Sequence, residues 1–150
     1  MNTSKENDAA SDKLRLENQL CFPLYAAARK VVSLYTPYFR ELGITYTQYI
    51  VFLVLWEKKE ITVGELGSKL YLDSGTLTPL IKKLEKEGYI ERSRSTDDER
   101  VVLVSLTEKG AQLREKAECI PSEVGGCIPL SLEEAMTLYT LLYKLLGGLQ

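Results

Sequence analysis

Histidine is absent from this chain of 150 residues. Its absence removes the usual general base and the commonest metal ligand, and it leaves no Ser-His or Cys-His nucleophile pair, so hydrolytic and metal-assisted catalysis are not expected. Cysteine is scarce: Cys21, Cys119 and Cys127 are the three present. An odd count without CxxC spacing suggests neither a secreted disulfide framework nor a zinc ribbon. No apolar run approaches the roughly 20 residues of a membrane span. Residues 1–12 are polar rather than signal-like, so a cytoplasmic protein without membrane attachment is expected. Neither sign of charge dominates. The 19 Lys and Arg set against 21 Asp and Glu give a net charge of -2, which argues against nucleic-acid binding through bulk charge and leaves only local basic patches. Neither a metal nor a cofactor is implied.

What is present is a hydrophobic content of 45%, enough for one domain with a real core. The reading is a frayed tail over residues 1–12, then a single domain over 13–150. A first long helix is expected over 13–42, ended by Gly43. A second follows with Thr47 as its cap, apolar on nearly every side from Ile50 to Trp56 and therefore central to the core. Ile61, Thr62 and Val63 offer a short strand and the cap of a third helix. After a fourth helix and two strands, a fifth helix begins at Thr107 and is broken by Ile120-Pro121. Gly125 to Pro129 breaks the pattern again, and Ser131 with Glu134 fits a capping box for a final leucine-rich helix. Its leucines, with Leu14, Leu16, Leu20 and Leu24, suggest pairing of the terminal helices across a twofold interface, 13–46 and 107–150 serving dimerisation. An intramolecular helical cap is the alternative.

Residues 71–110 carry the strongest local pattern. Leu77, Leu80, Ile81 and Leu84 recur at helical spacing from a start at Ser74, whose hydroxyl can cap the helix, to Gly88. Strands follow over 89–95 and 101–106, joined by Ser95-Thr96-Asp97-Asp98-Glu99-Arg100, too polar to be buried and too charged for an ordinary tight turn. This is the order of a winged helix, so the fold class is mainly α with a small β-hairpin wing, the winged helix-turn-helix occupying 47–106. A solvated hairpin on an unrelated α+β domain is the alternative. Lys82, Lys83 and Lys86 on the helix and Arg92, Arg94 and Arg100 on the wing form the basic cluster, interleaved with Glu85, Glu87, Asp97, Asp98 and Glu99.

Cys21 by itself reads most simply as a small buried hydrophobe. Tyr25 and Tyr35, four and fourteen residues on, fall on similar sides of one helix, and Tyr46 lies at the start of the next. Phenolic hydroxyls can hydrogen-bond a thiolate and favour the ionised nucleophile. Tyrosines that simply pack with their hydroxyls at the surface are the alternative. Pro23 cannot donate to the Gln19 carbonyl and should kink the helix or delay its start, which could put Cys21 near a helix N-terminus.

Three segments carry a resemblance: Leu16-Glu17-Asn18-Gln19-Leu20-Cys21-Phe22, Leu72-Asp73-Ser74-Gly75-Thr76-Leu77-Thr78-Pro79 and Asp98-Glu99-Arg100. Through them the chain closely resembles MarR-type winged-helix repressors from Leu14 to about Glu118, and within these the organic-hydroperoxide-responsive branch. The resemblance implies a homodimer on a pseudo-palindromic double-stranded DNA operator. Residues 74–87 would enter the major groove, with Ser74, Gly75, Thr76 and Thr78 meeting phosphates or base edges. Arg100, oriented by Asp98, would reach the minor groove, while Lys82, Lys83, Arg92 and Arg94 contact phosphates. It further implies that Cys21, supported by Tyr25, Tyr35 and Tyr46, is oxidised by an organic hydroperoxide, after which the repressor leaves its operator. The resolving thiol is left open among Cys127, Cys119 and a small cellular thiol. Other readings are a redox-inert regulator of phenolic ligands, a thiol peroxidase using Cys21, and a winged-helix interaction module that never touches DNA.

Overall fold

The computed structural model describes residues 12–149; the expected tail lies, but for Asp12, outside the described residues. The chain divides into two compact units, the first ending at Ile120. In the first unit a 3-10 turn, Leu16–Asn18, precedes α1 (Cys21–Leu34), α2 (Thr36–Leu42), α3 (Tyr46–Lys58), β1 (Glu60–Thr62), α4 (Val63–Leu70), α5 (Ser74–Lys86), β2 (Ile90–Arg94), β3 (Val102–Leu106) and α6 (Glu108–Ala117). Then come α7 (Ile120–Gly126), beginning at the unit boundary, and α8 (Leu132–Gly148) in the second unit.

The expected single helix over 13–42 is corrected to a turn and two helices. Both prolines explain this, because a residue without an N–H is best accommodated in a first helical turn. Pro23 is the third residue of α1 and Pro37 opens α2, so the chain restarts at each. Two caps are also corrected. Thr45, not Thr47, caps α3: its hydroxyl accepts the Gln48 N–H while the Gln48 side chain accepts the Thr45 N–H. Asp73, not Ser74, caps α5 by accepting the Thr76 N–H at 2.9 Å. In each case the residue with extended backbone, one step before the first helical residue, is the one whose side chain can fold back. The Thr62, Thr107 and Ser131 caps fall where the sequence put them.

The winged helix closes around a three-stranded antiparallel sheet of order β1-β3-β2. Ile61 pairs with Val104, and Arg92 with the same residue from the other side. Ile61, Ile90 and Val104 are buried in the core, while Arg92 and Arg94, which fall on the Ile90 side of β2 by the alternation of side chains, are exposed nearer the loop. Leu77, Ile81 and Leu84 form the buried stripe of α5 and pack into a core with Phe52 and Leu55 of α3 and Leu66 of α4. Each such fully buried side chain stabilises the fold by about 1.5–3 kcal/mol. The core thus lies directly behind the exposed face of α5 and fixes how that face is presented. Gly43 and Gly88 take the positive φ values, 69° and 75°, that end α2 and turn the chain after α5.

The second unit is a different kind of object. No residue of α8 is buried, and Leu132, Met136 and Leu141 are among its exposed apolar side chains.

Candidate nucleic-acid interface and thiol site

Asp73 organises the start of α5. Its two carboxylate oxygens accept from the Thr76 N–H and the Thr76 hydroxyl, at 2.9 and 3.0 Å. Those bonds, the backbone one first, hold its carboxyl below the usual range. Ser74, Gly75, Thr76 and Thr78 are exposed on the first turns. Pro79, inside the helix, has no N–H for the Gly75 carbonyl, so that carbonyl is left for an outside donor. The same end of the helix therefore offers both backbone donors and an unclaimed acceptor. Lys82 and Lys83 are exposed farther along α5, Lys83 lying 3.9 Å from Glu87.

The wing is held by its own arginines. Arg92 Nε and Nη2 donate to one oxygen of Glu85, at 2.9 and 2.6 Å, fastening β2 to α5. This bond keeps the Glu85 carboxyl low and the guanidinium firmly charged. Arg94 donates to the Glu99 carbonyl across the loop. Asp98 takes both Nε and Nη2 of Arg100 at 3.1 Å and also its backbone N–H at 3.0 Å. The Arg100 side chain is nevertheless 91% exposed, so it is oriented without being buried. Between the start of α4, Thr78 and Ile81 of α5, and Arg92 and Arg100 of the wing lies a cleft of about 450 Å³.

Cys21 is the first residue of α1 and is exposed. Tyr25, one turn on, lies under the Arg29 guanidinium, 5.4 Å from its ring centre. The restart at Thr36 ends the helix expected to carry both Cys21 and Tyr35, so helical spacing no longer relates them. Tyr35 instead joins an aromatic cluster. It stacks on Phe39 at 5.3 Å, meets Tyr46 edge-on at 5.2 Å and lies 5.8 Å from Tyr49. Burial, then the neighbouring Tyr46, pushes the Tyr35 hydroxyl above its ordinary range. Tyr49 is raised by burial and by Tyr35 and Tyr46. Both therefore remain hydrogen-bond donors at neutral pH. Cys119 is exposed between α6 and α7, and Cys127 is exposed just after α7.

Sequence reasoning thus brought together Tyr35 and Tyr46, and Asp98 and Arg100, but missed Phe39, Tyr49, Glu85 and the Asp73 cap. Phe39 follows Tyr35 by four residues and Tyr49 follows Tyr46 by three, spacings that set side chains on one helical face. The Glu85–Arg92 pair joins a helix to a strand and carries no such signal.

The family of transcriptional regulators SarA/Rot matches residues 33–117. The organic hydroperoxide resistance transcriptional regulator of Bacillus subtilis is 51% identical over 138 residues, spanning 92% of this chain and 94% of that protein. Among solved structures, reduced AbfR bound to DNA superposes with a TM-score of 0.77 at 34% identity, covering 95% of this chain and 99% of its own. AbfR with a disulfide formed gives 0.66 at 35% identity over 95% and 98%. A mutant MarR from E. coli complexed with operator DNA gives 0.77 at 29% identity over 85% and 93%. With the three-stranded wing, the capped α5 and the exposed Cys21 already in view, these likenesses are decisive: the chain belongs to the MarR-type family of winged-helix transcriptional regulators, in its organic hydroperoxide resistance branch.

Proposed function

We propose that this protein is a cytoplasmic homodimeric repressor that holds its operator while Cys21 is reduced and releases it when an organic hydroperoxide oxidises that sulfur. The observation that carries the reading is the exposed Cys21 at the first residue of α1 in a chain whose first unit also carries the winged helix. The thiolate attacks the outer peroxide oxygen. An S–O bond forms and the O–O bond breaks, the sulfur losing two electrons; the alkoxide leaves and takes a proton as the alcohol. A second thiol then condenses with the sulfenic acid, forming S–S and releasing water. Cys127, preceded by Gly125 and Gly126, is the favoured resolver, ahead of Cys119 and a small cellular thiol. AbfR, which has been solved both reduced on DNA and with a disulfide formed, supports a cycle of this kind.

On the operator, α5 lies in the major groove with Ser74, Gly75, Thr76 and Thr78 toward phosphates and base edges. Lys82, Lys83, Arg92 and Arg94 neutralise phosphates, and Arg100, steadied by Asp98, enters the minor groove. The exposed leucines of α8 and of residues 14–24 form the dimer interface, and Tyr25, Tyr35 and Tyr46 support the Cys21 thiolate within the dimer. The deciding experiment compares operator binding by wild type and Cys21→Ser before and after cumene hydroperoxide, with the oxidised species weighed by mass. Wild type is expected to dissociate as its sulfur gains oxygen or a disulfide while Cys21→Ser stays bound. Equal release of the serine variant would sink the reading and favour a regulator of phenolic ligands that is redox-inert at Cys21.

A further inference from the structure

Among the described residues Gln48 is the polar side chain buried in the core, 1% exposed. Burying an amide is costly unless both of its ends are bonded. Here they are: its oxygen accepts the Thr45 N–H at 2.8 Å and its Nε2 donates to Glu87 Oε2 at 3.2 Å. An apolar side chain would fill the same volume without that desolvation, so what the amide adds is direction. Gln48 stands in the first turn of α3 between Tyr46 and Tyr49, two members of the tyrosine cluster. Glu87 is the residue that ends α5, the helix that reads DNA. Its other carboxylate oxygen lies 3.9 Å from Lys83 on the exposed face of that helix. Its backbone carbonyl accepts from Lys109 of α6 at 2.7 Å. Phe52 and Leu55 of α3 and Leu84 of α5 are buried apolar side chains, which can slide without breaking a bond. The Gln48 amide is the directional tie between the tyrosine cluster and the end of the reading helix.

We infer that the Gln48–Glu87 hydrogen bond is the positioning link that transmits the state of the tyrosine site to α5. The inference rests on the proposed release of DNA on Cys21 oxidation. A change in what Tyr46 bonds displaces the first turn of α3, and Gln48, fixed to that turn through Thr45, carries the displacement to Glu87. Glu87 in turn shifts the end of α5 and the Lys83 ammonium that faces a phosphate. Neither Gln48 nor Glu87 touches the reacting sulfur, so their loss leaves the oxidation chemistry intact.

The test measures operator Kd by fluorescence anisotropy for the full chain, reduced and after cumene hydroperoxide, together with the rate of sulfenic acid formation at Cys21. Gln48→Leu removes both bonds; Gln48→Glu sets two carboxylates against each other. Both are expected to oxidise at the wild-type rate while the ratio of oxidised to reduced Kd falls about tenfold. The exchange Gln48→Glu with Glu87→Gln restores an amide-to-carboxylate bond with its direction reversed, and should return the ratio to within about twofold of wild type. Should Gln48→Leu fail to fold, Gln48→Glu and its exchange partner carry the comparison alone. A wild-type ratio in Gln48→Glu, or a folded double variant that stays uncoupled, overturns the inference. Wild type that remains on its operator after oxidation fails the functional proposal itself, and is recognised before any variant is compared.

Discussion

Gly110→Ala is expected to destabilise the winged helix sharply while leaving Cys21 chemistry untouched. Gly110 is buried in the first turn of α6, against the point where α5 gives way to β2. A methyl group there would overlap the Tyr89 carbonyl oxygen and stand 2.9 Å from Leu106 Cδ2, closer than Cβ atoms are found. The carbonyl is poorly placed to yield. It accepts the Thr107 N–H at 3.1 Å, while the Thr107 hydroxyl accepts the Gly110 N–H at 3.2 Å and the Gly110 carbonyl accepts from Trp56 Nε1 at 3.0 Å. Relief of the overlap therefore lengthens at least one of three bonds besides displacing backbone. Overpacking of this kind, with one bond weakened, costs about 3 kcal/mol. In a chain of 150 residues that lowers Tm by roughly 6–12 °C. Thermal unfolding by circular dichroism at matched protomer concentration reads it. Gly125→Ala, whose methyl would meet open space, is the control and should keep or slightly raise Tm. A Gly110→Ala protein melting within about 2 °C of wild type would refute the reasoning.

Arg100→Ala should weaken operator binding on the order of tenfold and relax discrimination at the position the arginine reads, whereas Lys83→Ala should weaken all sequences alike and reduce the slope of log K against log salt by about one; anisotropy titrations at several salt concentrations separate the two, and identical behaviour of both variants would count against the assigned roles. Glu65, Asp73, Glu85, Asp98 and Glu134 are all held below the usual carboxylate range, each by a hydrogen bond from Thr62, Thr76, Arg92, Arg100 or Ser131 respectively. A lowered folded-state value means that stability is present above the unfolded value, near 4, and is lost as pH falls through the lower folded ones; melts from pH 6 to pH 2 should show Tm declining below about 4, less steeply in Asp98→Asn. Tyr35 and Tyr49 have raised values, so the sign reverses: stability is kept below the ordinary tyrosine value of about 10 and is lost as pH rises past it, and phenolate absorbance at these two residues, assigned with Phe variants, should appear late. Leu141→Asp on the exposed face of α8 should shift the protein toward monomer by sedimentation and reduce operator affinity together with it.

Much of the winged helix was legible because it is built from local periodicity. The stripe Leu77, Ile81 and Leu84, the charged loop between β2 and β3, and the Thr62, Thr107 and Ser131 caps each follow from residues within a few positions of one another. The N-terminal helix over 13–42 leaves Pro37 out of account; the delayed start expected of Pro23 is where α1 begins, and both prolines lack the N–H that a helix interior needs. Thr47 and Ser74 were misread as caps because several hydroxyl or carboxylate residues stand in a row at each helix start. Which of them has extended backbone is settled by the packing of the preceding chain.

The sequence alone determined the striped helix and the caps of the winged helix, the charged wing between two strands, and the family. These are properties of neighbours along the chain, and side-chain spacing expresses them directly. Tertiary structure decided the rest: that Tyr35 meets Tyr46, Phe39 and Tyr49, that Arg92 is fastened to Glu85, and that buried Gln48 reaches Glu87, 39 residues away. Apart from Tyr35 on Phe39, one helical turn apart, such contacts join different elements, so their energies depend on how α3, α5 and the sheet pack around one core, and no period in the sequence records that packing.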